Sequence, residues 1–199
     1  MNSLFSNKQK FNLPNSDITY YPNFIDTIKA TELFKHLKEN IAWQHDNIKV
    51  YGKIYKQPRL TALYGNIKKS YTYSNITMKP HAFTEELNTI KKAIETIAQI
   101  HFTTCLLNLY RDGKDSNGWH ADDEPELGNN PVIASISLGQ ERFFNLRNIH
   151  NKKLKTKILL EHGSLLLMKG ETQHYWQHQI PKTTKKIKER INLTYRVVH

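Results

Sequence analysis

Two segments of the chain place apolar residues at helical spacing. In 27–41, TIKATELFKHLKENI, the residues Leu33, Phe34, Leu37 and Ile41 fall on one face. In 84–100, TEELNTIKKAIETIAQI, the same spacing brings Leu87, Ile90, Ile94, Ile97 and Ile100 together. Glu85 and Glu86 stand in the first turn of the second segment, where a helix dipole favours acidic side chains. Both stripes predict helices that turn one face to a core. Beyond residue 101 the period changes to two. FTTCLLNLY, VIASISLG, RFFNLRN, KILLEHGSLLLMKG, HYWQHQI and RINLTYRVV read as short strands, most of them parted by turn residues.

Between the helices runs VYGKIYKQPRLTALYGNIKKSYTYSNITMKP, aromatic and basic, with Gly and Pro punctuation that suggests short strands and turns. Many strands and little helix in the second half point to an antiparallel sandwich or jelly roll. No internal repeat or long linker interrupts the chain. A length of 199 residues suits one domain with a real core.

Composition narrows the class. Hydrophobic residues at 38% and aromatics at 11% exclude a largely disordered chain. Cys105 is the single cysteine, so no intramolecular disulfide can form, which fits a reducing compartment. The start, MNSLFSNKQKFNLPNS, lacks the apolar core of a secretion signal, and no apolar run approaches a membrane span. The expectation is a soluble protein that is not secreted: cytoplasmic in a bacterial-type cell, nuclear in a eukaryotic one. The formal charge of +11, with clusters at NKKLKTK and KTTKKIKER, suits a polyanionic partner, because each neutralised phosphate releases counterions.

The candidate chemistry starts at GWHADDEPE, residues 118–126. On an extended segment His120 and Asp122 point to one side. A third ligand must come from elsewhere, and HYWQHQIP offers His174 and His178, four apart and on one face if the segment is a strand. Two histidines and one carboxylate with open positions favour non-haem Fe(II); zinc hydrolysis is the competing use of similar ligands. In RINLTYRVV, Arg190, Asn192, Thr194 and Arg196 share one face, and Ile191, Leu193, Tyr195 and Val197 the other. A polar strand face with two arginines suits an anion, since the guanidinium fork grips carboxylates and stays charged. Asn108 and Tyr110, two apart in LLNLY, add hydrogen-bonding groups.

The order NLY, HADDE, WQH, RINLTYR resembles the AlkB family of Fe(II)- and 2-oxoglutarate-dependent nucleic-acid dealkylases. The likeness runs from about residue 50 to the end. VYGK, PRLTALYG, YTYSNITMKP and HGSLLLM make it similar to the branch that works on duplex DNA. The resemblance implies a mainly β fold with flanking α: a double-stranded β-helix (jelly-roll) core over 102–199, an N-terminal extension and helix over 1–45, and a nucleotide-recognition lid over 46–83. It implies that His120, Asp122 and His178 hold Fe(II). His178 is preferred to His174 because the family ligand precedes an apolar-proline step, as in HQIP. It also implies that Arg196 pairs with the distal carboxylate of 2-oxoglutarate, helped by Asn108, Tyr110, Arg190 and Asn192.

The implied reaction removes a methyl group from N1-methyladenine or N3-methylcytosine in DNA, consuming O2 and 2-oxoglutarate and giving succinate, carbon dioxide and formaldehyde. A base taken out of the stack would lie between Tyr73 and His120, with Tyr71, Glu124 and Arg59 close to it, while Tyr51 fills the gap in the duplex. Tyr51 and Tyr73 stand where phenylalanine is typical of that branch. The implied partner is DNA, double-stranded before single-stranded DNA or RNA, met by a monomer away from membranes. Two other readings stand beside this one: the same oxygenase chemistry on RNA or protein, and a non-catalytic basic DNA-binding module.

Overall fold

The computed structural model describes residues 8–50, 52–66, 71–73 and 76–199. The chain opens with strands β1 (Gln9–Phe11) and β2 (Asp17–Tyr21), then helix α1 (Thr27–Asn40). Five strands follow: β3 (Asn47–Val50), β4 (Lys53–Lys56), β5 (Leu60–Gly65), β6 (Tyr71–Tyr73) and β7 (Ile76–Met78). After helix α2 (Glu85–Ala98) come β8 (Thr104–Tyr110), β9 (Asn117–His120), β10 (Ile133–Gly139), β11 (Arg142–Asn148), β12 (Lys155–Leu160) and β13 (Ser164–Lys169). One helical turn, α3 (Thr172–Tyr175), precedes β14 (Trp176–Ile180) and β15 (Arg190–Arg196).

Both predicted helices form, and local chemistry sets their starts. Asp26 caps α1 by accepting from Lys29 N, and Thr84 caps α2 by accepting from Leu87 N. The strands build a seven-stranded sheet, β1-β2-β13-β10-β15-β8-β5, facing a four-stranded one, β12-β11-β14-β9. Pairings between the named strands are antiparallel, as a jelly roll requires. The hairpins β3–β4 and β6–β7 form two further small sheets.

Alternation along the central strands splits the interior in two. Cys105, Leu107 and Leu109 of β8 join Ile191, Leu193 and Tyr195 of β15 in a core shared with α1 and α2. Leu106 and Tyr110 of β8 enter a second core with Phe144, Leu146, Ile158 and Leu160 of the smaller sheet. Tyr195 fastens the helical layer, its hydroxyl donating to the Leu87 carbonyl at 2.9 Å. Because β15 lies between β10 and β8, its polar face is buried between the sheets rather than solvated.

Three features differ from the sequence expectation. The first 45 residues contribute β1 and β2, and β2 pairs with β13 inside the larger sheet. Within 46–83, β5 is a strand of that same sheet, hydrogen-bonded to β8. HYWQHQI is not all strand: His174 lies on α3, so His174 and His178 do not share a strand face. Four residues of helix are too few to show a period of their own. Among the described residues, no helix is long and apolar enough to cross a membrane.

The turn between β12 and β13 approaches the entry to α1 closely. Ile25 N donates to the Gly163 carbonyl at 2.9 Å, and Gly163 has φ +78°. A Cβ there would meet the Ile25 carbonyl oxygen. Gly163→Ala should therefore lose about 2–4 kcal/mol in urea unfolding, from left-handed strain plus overpacking. An unchanged midpoint would mean that the turn relaxes freely.

Candidate active site

His120 ends β9 and His178 sits on β14, directly opposite in register. Their ring centroids are 4.2 Å apart. Asp122 lies two residues past the strand end, and one ligand atom from each of the three falls within 4.8 Å of the others. His174 is exposed on α3 and hydrogen-bonds Asn129 at 3.2 Å instead. The ambiguity left by sequence spacing is thus resolved by geometry: His178, and not His174, joins the cluster.

The surrounding groups orient these three. His120 Nδ1 is 2.7 Å from the Gly118 carbonyl, which needs a donor, so the lone pair resides on Nε2. Nε2 lies 3.1 Å from Asn117 Nδ2. His178 stacks on Phe144, ring centroids 4.9 Å apart. Asp122 N donates to Gln173 Oε1 at 2.9 Å, and Asp122 Oδ1 accepts from Arg196 Nη2 at 2.7 Å. Burial alone would push the Asp122 carboxyl up, but Arg196 above all holds it below the ordinary range. Burial pushes the histidines the other way. His178 is held down to about 3 by burial and by His120, against the pull of Asp122; His120 is lowered by burial, with Asp122 again opposing. Two neutral imidazoles and an ionised carboxylate result, the donor set that suits a divalent non-haem iron.

A cavity runs from this cluster between the sheets, with Asn108, Tyr110, Asn192, Arg190 and Met168 on the wall of the larger sheet and Phe144, Leu160 and Ile180 on that of the smaller one. Arg190 is 1% exposed, and its Nη2 donates to Ser137 Oγ at 2.9 Å. Its Nε and Nη1 have no hydrogen-bond partner. Burial lowers its pKa to about 10, which still leaves it charged at neutral pH, with Tyr110 5.2 Å away on ring centroid. A buried guanidinium with two unmatched nitrogens at the polar wall fits the carboxylate of a small diacid.

Arg196 was expected on the distal carboxylate of 2-oxoglutarate; it is committed to Asp122, beside the metal cluster. Arg190, six residues earlier on the same face, has its Nε and Nη1 unmatched. Arg59, expected beside the base, is 3% exposed and donates to Asn108 Oδ1 and the Ser116 carbonyl. Glu124 lies near the cluster with Oε2 unpartnered, and burial together with Asp122 raises its carboxyl to about 7. Tyr51 lies outside the described residues, as do the side chains of Tyr71 and Tyr73. Gln173 was not anticipated, because nothing in a short TQHY segment marks a glutamine that reaches a residue 51 positions away.

His178→Ala should weaken Mn(II) or Fe(II) binding by more than about 100-fold, beyond the loss typical of a ligand-supporting residue, with His174→Ala unchanged. Anaerobic calorimetric titration checks this, and equal losses in both variants would contradict the assignment.

Comparison with known proteins agrees with this geometry. The family model of the 2OG-Fe(II) oxygenase superfamily matches residues 17–196. The human alpha-ketoglutarate-dependent dioxygenase alkB homolog 3 is 40% identical over 193 residues, covering 92% of this chain and 67% of that protein. The human DNA oxidative demethylase ALKBH2 is 32% identical over 180 residues, covering 85% of this chain and 69% of its own length. The solved structure of OsALKBH1 superposes with a TM-score of 0.68 at 16% identity, covering 94% of this chain and 99% of that one, a likeness of fold. The chain belongs to the AlkB family of the 2OG-Fe(II) oxygenase superfamily, dioxygenases that use Fe(II) with 2-oxoglutarate as cosubstrate.

Proposed function

We propose that this dioxygenase demethylates N-alkylated bases in DNA, with N1-methyladenine and N3-methylcytosine as substrates. The observation that carries the reading is the cavity itself: a His-Asp-His cluster at one end and a buried, under-bonded Arg190 at the other. The relatives named as DNA oxidative demethylases support DNA as the polymer. The charge of +11 supports a phosphate backbone as partner.

In this reading His120, Asp122 and His178 hold the iron, while Gln173 and Arg196 keep the Asp122 carboxylate aimed. The fork of Arg190 takes the distal carboxylate of 2-oxoglutarate, and Tyr110, Asn108 and Asn192 satisfy its remaining oxygens. The apolar wall, with Phe144 against His178, keeps water from the reacting atoms. Iron and cosubstrate supply the oxidising power, and succinate, carbon dioxide and formaldehyde are the products. The hairpins β3–β4 and β6–β7 serve as the nucleotide-recognition lid over the jelly roll. Tyr73 and His120 sandwich the flipped base, and Glu124 and Tyr71 meet its polar edge.

The decisive experiment measures succinate release with methylated and unmethylated oligonucleotides of DNA and RNA, single- and double-stranded. Methylated DNA should stimulate release above the unmethylated control; stimulation by methylated RNA alone would transfer the reading to RNA. Arg190→Ala should weaken 2-oxoglutarate binding by about tenfold or more, the loss of a charge-assisted pair, with metal affinity retained. Arg196→Ala should impair metal binding as well, since it leaves Asp122 buried without its cation. Saturation of Arg190→Ala at parental cosubstrate levels would remove it from the site.

Tyr51 carries the duplex assignment. A residue that fills the stack offsets an unstacking cost of a few kcal/mol that exists mainly in duplexes. Tyr51→Ala should slow repair of a duplex far more than repair of a single strand. An unchanged duplex-to-single-strand rate ratio makes Tyr51 a packing residue.

A further inference from the structure

We propose that Arg59 is a positioning residue for 2-oxoglutarate, acting through the carboxamide of Asn108. The inference rests on the cosubstrate cavity assigned above. Arg59 stands just before β5 and is buried, yet none of the proposed chemistry uses its charge directly. Its Nε donates to Asn108 Oδ1 at 2.7 Å, and its Nη1 donates to the Ser116 carbonyl at 3.0 Å. Ser116 N in turn donates to the Pro58 carbonyl at 2.9 Å, so the arginine and the loop leading into β9 are locked together.

The consequence follows from the donor inventory. A guanidinium has donors and no acceptor, so the Asn108 atom that faces it must be oxygen. An asparagine amide is otherwise free to present either end. With Oδ1 held by Arg59, the NH2 end is left for the cavity that Asn108 lines beside Tyr110 and Asn192. Asn108 pairs with Asn192 in register, two residues along from the Tyr110–Arg190 pair and on the same face, so it flanks a ligand stretched from Arg190 to the metal cluster. The oxygens of a keto diacid are all acceptors. Flipped, the amide would set its own oxygen against them; held as it is, it can only donate. Arg59 thereby turns an ambivalent side chain into a committed donor.

The test is calorimetric titration of 2-oxoglutarate into the Mn(II)-loaded full chain, run as a double-mutant cycle of Arg59→Met and Asn108→Ala. Arg59→Met should raise the 2-oxoglutarate Kd about tenfold in the parent, the scale of one hydrogen bond to a charged group, and less than about twofold once Asn108 is already alanine. Mn(II) affinity should hold throughout. Arg59→Lys keeps one donor and the charge, and should recover most of the loss. Equal losses in both backgrounds would mean a long-range charge effect or general distortion, and would overturn the positioning role. So would an unchanged Kd in the parent. Should Arg59→Met fail to fold, Asn108→Asp keeps an acceptor for Arg59 while removing the NH2. It should bind at least about tenfold more weakly, and parental binding by it overturns the inference. No binding by the parent itself would bring down the cavity assignment, and this inference with it.

Discussion

A buried carboxylate must find a positive partner or lose its charge, and in this protein Asp122 meets that demand through Arg196, 74 residues away in sequence. Both side chains are at most 4% exposed, so solvent does little for either. The pair joins the loop after β9 to the end of β15, and the backbone of Asp122 is tied to α3 through Gln173. Three separate parts of the chain therefore converge on one carboxylate. Removing either charge from such a pair costs far more than the pair contributes over an apolar alternative, which makes it a device for geometry rather than for stability. The same demand suits the interior position of β15 in the larger sheet. There it lies between β10 and β8, and Ser137 and Ser135 of β10 accept from Arg190 and Asn192 of its polar row.

Much of this arrangement could be read from residue order. Period 3.6 located α1 and α2 to within a residue or two, and period 2 divided β15 into the two faces that the structure separates. A double apolar and polar alternation on adjacent strands is a strong signal because each face has its own neighbour to satisfy. What escaped has equally physical reasons. β1 is three residues long and β2 five, too short for alternation to stand out, and their pairing with each other and with β13 is long-range. Which of Arg190 and Arg196 approaches the metal cluster was invisible, because period 2 places both on one face. The contacts of Arg59 and Gln173 depend on which side chains the fold brings within 3 Å, and no local pattern encodes that.

The two cores divide the labour of the fold. The inter-sheet core adjoins the cavity, while the other core packs the two long helices against the larger sheet. Tyr195 links them through the strand that supplies both arginines, its hydroxyl reaching α2 on one side while its neighbours Thr194 and Arg196 face the other. Helix packing is thus coupled to the register of the polar row, although neither helix touches the metal cluster.

The early strands have a consequence of a different kind. β13, SLLLMK, is fully apolar over four residues and pairs with β10 on one side and β2 on the other. Without β2 it would be the outer strand of the sheet, a row of open amides and carbonyls on a flat hydrophobic ribbon, which is the geometry that recruits strands from other molecules. The DITYY segment of β2 thus covers the β13 edge, and β1 in turn covers β2.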